Sequence, residues 1–249
     1  MEDLKKKKEK QRTYRHEYKF LIDEKDKTEL YYRLKSLIPL DQNAGEEGRY
    51  WIRSVYFDDY RNSCFYQNED GINERAKYRI RIYNVSDGSI RLERKSKKNG
   101  MTCKESAALT RRQCDLLLQG IPLPLDTPEA QQYPEVLKQF LVLMMSRGMR
   151  AKTIIEYERI PFVYPSGNVR ITLDRNITSS LDTARFFEKD NLRYPVLASG
   201  QQLLEVKFDE YLPTFIRDHL EIGNLQQISF SKYYLGRKYT VAHAGGRLK

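Results

Sequence analysis

Eight short segments of this sequence alternate between charged and apolar side chains, and that alternation limits the possible folds more than any other feature. They lie at residues 14–22, 50–57, 77–83, 89–96, 102–109, 152–162, 168–174 and 202–208. Successive residues of a strand point to opposite faces, so each segment reads as a strand with one polar and one oily side. Arg15, Glu17 and Lys19 share a face, with Tyr18, Phe20 and Ile22 opposite. Lys77, Arg79 and Arg81 oppose Tyr78, Ile80 and Ile82, and Arg91, Glu93 and Lys95 oppose Ile90 and Leu92. Lys104, then Tyr157 with Arg159, Arg170 with Asp174, and Glu205 with Lys207 continue the pattern on four more strands.

Helices fill some of the gaps. Asp23 can cap a helix that carries Leu30, Leu34, Leu37 and Ile38 and stops before Pro39. Thr110 with Gln113 forms a capping box, with Gly120 as the stop. Pro134 opens a helix running towards Gly148, and further helical stretches cover 213–220 and 231–238. Many antiparallel strands with few helices predict an α+β fold: an eight-stranded barrel, closed or nearly so, with helices packed outside.

Two arrangements of that barrel fit the pattern. In one, the charged faces meet solvent and the apolar faces fill the barrel. In the other, the apolar faces pack under the helices and the charged faces line a wide channel. So many cations inside a channel repel one another and require a polyanion between them. Glu17, Glu93 and Glu205 each sit two residues before a lysine on the same charged face. A few carboxylates among many cations suit a metal-bridged phosphate site, with oxygen ligands for Mg²⁺ or Mn²⁺ and Lys and Arg on phosphate oxygens.

Composition agrees with a basic protein built around a large core. The 249 residues include 44 Lys and Arg against 34 Asp and Glu, a formal charge of +10, with 18 Tyr and 10 Phe to bury. Residues 1–12 hold six basic and three acidic side chains and read as a solvated, disordered tail; residues 13–249 read as one domain. That tail lacks the apolar stretch of a secretory signal, and three cysteines make no CxxC pair, so a cytoplasmic location is expected. The longest apolar run, 140–145, is six residues, against the roughly 20 that span a bilayer, so no membrane span is expected. His16, His219 and His243 are isolated, and no P-loop or dinucleotide-type glycine motif occurs.

Glu17-x-Lys19, Ser54-x-Tyr56-Phe57-Asp58, Arg79-x-Arg81, Glu93-x-Lys95, Lys104-Glu105, Tyr157-x-Arg159, Arg170-x-x-Leu173-Asp174, Glu205-x-Lys207 and Phe230-Ser231-Lys232-Tyr233 together resemble the VTC domain. That is the polyphosphate polymerase domain of the vacuolar transporter chaperone complex, a member of the triphosphate tunnel metalloenzymes alongside CYTH-type triphosphatases. The resemblance runs from about residue 14 to 236 and favours the channel arrangement. It implies transfer of the ATP γ-phosphate to a growing inorganic polyphosphate chain, with Mn²⁺ or Mg²⁺ as cofactor. By matching position, Lys19, Arg79, Arg81, Lys95, Lys104, Arg159, Arg170 and Lys232 would hold phosphates, Tyr157 would hydrogen-bond one, and Glu205 would ligate the metal. Lys207, Glu17 and Glu93 join them from the charged-face pattern, the glutamates as further metal ligands.

One departure stands out: where the fungal polymerase carries a second lysine, this chain has Ser229. The fungal membrane region and phosphate-sensing SPX domain are also missing, so transport coupling and inositol-pyrophosphate control are not expected. The same channel would serve a CYTH-like triphosphatase or short-chain polyphosphate hydrolase. A non-catalytic polyanion binder is a further alternative, but specific nucleic-acid binding is not expected, because the cations are interleaved with glutamates and base-stacking aromatics are few on the charged face.

Overall fold

The computed structural model describes residues 14–220 and 225–243, so the tail expected at residues 1–12 lies outside the described residues. The eight expected strands are present: β1 (His16–Ile22), β2 (Tyr50–Asp58), β3 (Arg75–Tyr83), β4 (Ser86–Lys98), β5 (Met101–Leu109), β6 (Arg150–Tyr164), β7 (Val169–Ser180) and β9 (Gln202–Phe208). A two-residue strand, β8 (Tyr194–Pro195), adds to β7. All neighbours pair antiparallel in the order β1-β9-β7-β6-β2-β3-β4-β5. The sheet curls until its two edges meet at one bridge, where the backbones of Arg15 and Thr102 exchange two hydrogen bonds of 2.9 Å.

Helices pack on this sheet, most of them on its outside. They are α1 (Glu24–Leu37), α2 (Ser63–Glu69), α3 (Arg111–Leu118), α4 (Pro128–Gln131), α5 (Glu135–Arg147), α6 (Thr214–His219) and α7 (Lys232–His243). The caps form as the sequence predicts: Asp23 accepts the Asp26 amide at 2.7 Å, and Thr110 with Gln113 closes a reciprocal box. Gly148 ends α5 with φ of 59°, a left-handed turn that suits glycine. No helix among the described residues is long and apolar enough to cross a membrane. No disulfide joins Cys64, Cys103 and Cys114, all buried.

Of the two barrel arrangements, the structure takes the one with apolar faces outward. Ile80, Ile82, Leu92 and Ala107 pack against Cys114 and Leu117 of α3 and Phe140, Leu141 and Met144 of α5. Ile171, Leu173, Leu204 and Val206 pack against Leu30 and Leu34 of α1 and Ile216 of α6. Helices lie outside because those faces must leave water, and each fully buried aliphatic or aromatic side chain stabilises the fold by roughly 1.5–3 kcal/mol. The sheet's charged faces are thereby turned inward.

Strand β4 runs further than its alternation suggests. Asn99 and Gly100 have φ of 50° and 78°, the conformation of a two-residue hairpin turn, so pairing with β5 continues to Lys98 opposite Met101. Lys97 therefore belongs to a strand. The alternating segment 89–96 stops short of Lys97 and Lys98, yet both pair with β5, because the turn needs only the two residues after them.

Helix α7 packs against the inner face of β6 and β7. A methyl at Gly236 would lie 2.2 Å from Ile155 Cδ1 and 3.1 Å from Ser179 Cβ, and the Ser179 hydroxyl donates to the Gly236 carbonyl at 3.0 Å. Tyr233 stacks on Tyr56 and donates to Asp58 at 2.6 Å; Arg237 bonds Tyr233 and Asn62. Asp58 is fully buried and also accepts the amides of Cys64 and Phe65, tying α2 and α7 to β2. Replacing Gly236 with alanine gains helix propensity but overpacks Ile155, so Gly236→Ala should destabilise by about 1–2 kcal/mol. Chemical denaturation of Gly236→Ala, Ile155→Val and the double variant should show that removing Cδ1 recovers part of that loss.

Candidate functional site

Inside the curled sheet lies a cavity of about 490 Å³ whose lining includes ten Lys and Arg side chains and two carboxylates, Glu17 and Glu205. Strand register brings each carboxylate beside its cations. Glu17 sits opposite Lys207, and Lys19 opposite Glu205, across β1 and β9. Arg159 pairs with Asp174 across β6 and β7, and Arg79 with Glu93 across β3 and β4. Opposite charges facing each other on neighbouring strands favour that register.

The side chains form one connected network. Arg159 grips Asp174 through two bonds of 2.7 Å. Lys232, at the start of α7, reaches both Asp174 and Glu205 at 2.7 Å. Glu205 also accepts Lys207 at 2.7 Å and stands 3.5 Å from Arg159. Glu17 accepts Lys95 at 2.7 Å from the far side of the opening, with Lys19 and Lys207 each at 3.5 Å. Lys19 further donates to the Phe230 carbonyl at 2.9 Å. Arg79 binds Glu93 at 2.7 Å and the Tyr56 hydroxyl at 2.9 Å. Arg81 is less tied: its donors reach Ser54 at 3.1 Å and the Tyr157 hydroxyl at 3.2 Å, and Glu93 is 3.8 Å away.

Burial and neighbouring charge set the protonation of these groups. For Glu17, burial favours the acid form, but Lys19, Lys95 and Lys207 outweigh it and hold the carboxyl well below its usual range. Glu205 is depressed in the same way against burial, by Lys207, Lys232 and Lys19. Burial works against the Lys232 ammonium, but Asp174 and Glu205 raise it above the ordinary lysine value. Lys95 behaves oppositely: burial pushes it down to about 7, with Glu17 offsetting only part of the effect. Lys77 is also pushed down to about 7, by burial first and then by Arg75.

Of the residues singled out from the sequence, Lys19, Arg79, Arg81, Lys95, Tyr157, Arg159, Lys207, Lys232, Glu17 and Glu205 all line the cavity. Ser229 lines it too. Three others stand apart. Arg170 turns to Asp41 at 2.7 Å and the Tyr50 hydroxyl at 2.8 Å, held by the turn after α1. Lys104 lies on the edge strand with its side chain 56 % exposed and reaches only Glu93, at 3.2 Å. Glu93 is almost wholly buried behind Arg79, Arg81 and Lys104. The expected trio of metal-binding glutamates is thus divided: Glu93 anchors arginines, while Glu17 and Glu205 face the cavity. Among the described residues no three His, Cys, Asp or Glu side chains gather at one point.

Three of the ten lining cations, Arg75, Lys77 and Lys97, and the lining Tyr56 fall outside the site residues named from the sequence. The signals were there. Lys77 shares the period-two phase of Arg79, and Lys97 that of Lys95, once Asn99-Gly100 is read as a hairpin turn. Asp174 was quoted as a motif residue, but its role as the counter-charge to Arg159 and Lys232 needs the fold.

No curated protein matches the chain. Among solved structures, a candidate adenylate cyclase of Bacillus halodurans is 15 % identical, covers 88 % of this chain and 95 % of its own, and superposes with a TM-score of 0.52. A candidate adenylyl cyclase of Hippeastrum, described as having a dominant triphosphatase activity, is 11 % identical, covers 94 % and 97 %, and gives a TM-score of 0.49. The first of these shows a shared fold. The family model of the VTC domain matches residues 14–241, nearly the whole described chain, and the chain belongs to that family.

Proposed function

We propose that this protein is a metal-dependent polyphosphate polymerase that transfers the ATP γ-phosphate to the end of a polyphosphate chain held in the basic cavity. The observation that carries the reading is the lining itself: ten cations against two carboxylates, turned inward by the fold. Such a surplus needs an anion of high charge density. Its volume falls in the roughly 300–1,000 Å³ range of small-ligand sites. Membership of the VTC family supports polyphosphate as that anion. An enclosed cationic lining also speaks against a nucleic-acid surface, where the charges would face outward.

The chemistry asks for little beyond placement. A terminal oxygen of the chain attacks the γ-phosphorus, the bond from that phosphorus to the β–γ bridging oxygen breaks, and ADP leaves. The acceptor carries its own oxyanion, so no protein nucleophile or base is required. Arg79, Arg81, Arg159 and Lys95 hold the phosphoryl oxygens and stabilise charge as it spreads over them. Lys19, Lys207, Lys232 and Tyr157 fix the flanking phosphates, while Lys104 supports the lining from outside through Glu93. Glu93, Asp174 and the two lining glutamates hold those cations in place before substrate arrives.

Glu205 and Glu17 fit a hard divalent cation, because one or two carboxylates completed by phosphate oxygens is the usual setting for Mg²⁺. When bound there, Mn²⁺ or Mg²⁺ would neutralise charge on the departing diphosphate. Glu93, enclosed by its arginines, does not fit that role.

Incubation of the protein with ATP and Mn²⁺ should yield long polyphosphate on a gel, and chelation of the metal should abolish it. Release of orthophosphate from tripolyphosphate with no chain growth would instead mark a hydrolase. Arg81→Ala should lower the rate by about 10²-fold or more, the scale for losing one preorganised charge donor. Its fold should survive, since Glu93 keeps Arg79 and Lys104.

Lys77 and Lys95 add a pH dependence of definite sign. Their folded-state values of about 7 lie below the usual lysine value, so the unfolded chain binds more protons between pH 7 and about 10.4. Unliganded stability from these groups therefore rises with pH across that window, while their contribution to phosphate binding falls. Thermal melts and long-chain polyphosphate titrations from pH 6.5 to 9 should show affinity declining as these lysines lose their charge. Affinity rising over that range would contradict the assignment.

A further inference from the structure

The cations of the cavity are not equally neutralised. Along β3, Arg79 and Arg81 stand within 4.0 Å of Glu93. Two and four residues earlier, Lys77 and Arg75 have no carboxylate at ion-pair distance among the described residues, nor does Lys97 on β4. Lys77 bonds only neutral oxygens, Asn68 Oδ1 at 2.9 Å and Ser231 Oγ at 2.8 Å. Arg75 bonds the Ile72 carbonyl.

Register makes the imbalance costly. Arg75 faces Lys97 and Lys77 faces Lys95 directly across β3 and β4, on the inward face. Like charges opposite each other on neighbouring strands destabilise a sheet. Like charges also face each other at Arg81 and Arg91, Lys95 and Lys104, and Arg170 and Lys207, but in each of those pairs at least one member reaches a carboxylate, whereas among the described residues neither Arg75 nor Lys97 does. Arg75, Lys77 and Lys97 all line the cavity, together with the Asn99-Gly100 turn. From Arg75 to Arg81 the strand advances about 20 Å, six residues at some 3.3 Å each. One orthophosphate cannot touch both ends, whereas a chain can.

We propose that Arg75, Lys77 and Lys97 form a separate anion subsite at the hairpin end of the cavity, which holds non-reacting phosphates of an extended polyphosphate. The inference rests on the polyphosphate reading above but not on the direction of the reaction. It makes the substrate itself the counter-charge that this end of the cavity lacks, and it favours long chains over short ones.

The test is metal-free calorimetric titration of tripolyphosphate and of long-chain polyphosphate into wild type and into Arg75→Gln/Lys97→Gln. The variant should lose about tenfold or more in affinity for the long chain, the scale of two charge-assisted contacts. Tripolyphosphate affinity should stay within about twofold, as for independent sites. Lys25→Gln/Lys35→Gln, on the exposed side of α1, removes the same net charge and should leave the ratio of the two affinities unchanged. Lys97→Arg should retain the wild-type ratio and reports on folding. Without ligand, the Arg75→Gln/Lys97→Gln variant should melt higher than wild type, because like-charge repulsion is relieved. Equal loss for both ligands, no loss, or the same loss in the α1 variant overturns the subsite and leaves the polyphosphate reading standing. Absence of any polyphosphate binding by wild type overturns both.

Discussion

The fold depends on keeping a crowd of cations fixed inside a sheet that has turned its charged side inward. Unit charges a few ångströms apart in a partly dry interior repel by several kcal/mol at an effective dielectric near 20. The structure answers by sharing carboxylates: Glu205 stands among Lys207, Lys232, Arg159 and Lys19, and Glu17 among Lys95, Lys19 and Lys207. Each carboxylate holds several cations at once, which keeps the lining net positive yet ordered. Preorganised charge of this kind is what phosphoryl transfer uses, because nothing must reorient as charge moves between oxygens.

Turning the charged faces inward dictates the rest of the architecture. The apolar faces then point out and must be covered, so α3 and α5 shield one half of the sheet and α1 and α6 the other. The sheet edges meet at one bridge instead of a full ladder, and it is the Lys95–Glu17 ion pair that links β4 to β1 over the gap. At the other side α7 enters against β6 and β7 through Gly236 and delivers Lys232 to the same carboxylates. Core packing and site geometry are therefore coupled: the fully buried Asp58 accepts from Tyr233, the residue next to Lys232, and so helps fix where Lys232 stands.

Much of this was legible in the alternation. Period two assigns Glu17 and Lys19, Arg79 and Arg81, and Glu205 and Lys207 to one face of each strand, and those faces do converge. Alternation cannot say which way the face points, and that ambiguity was settled by the outward helices. It also cannot say which carboxylate serves which cation. Glu93 has the same local pattern as Glu17, yet register places it behind Arg79 and Arg81, where it anchors them. Asp174 looks like one more strand residue until Lys232, 58 positions later in sequence, arrives beside it. Lys97 lies just beyond the alternating segment 89–96, and only the shortness of the Asn99-Gly100 turn keeps it in the strand.

The unevenness of charge along the cavity separates two uses of the same residue type. Where cations meet carboxylates, they form a rigid frame that stands without substrate. Where Arg75 faces Lys97 and Lys77 faces Lys95 across β3 and β4, Glu17 meets only Lys95, and among the described residues no carboxylate stands at ion-pair distance from the other three. A ligand that binds only the folded state stabilises it by mass action, and it does so most where it replaces a missing counter-charge. Selection for stability alone would neutralise such a pair with a glutamate, as has happened at Arg79 and Glu93 one step along the same strands. That the inward face stays unneutralised at this end is the pattern expected when the anion is the substrate, and when that substrate is longer than the frame that holds its reacting end.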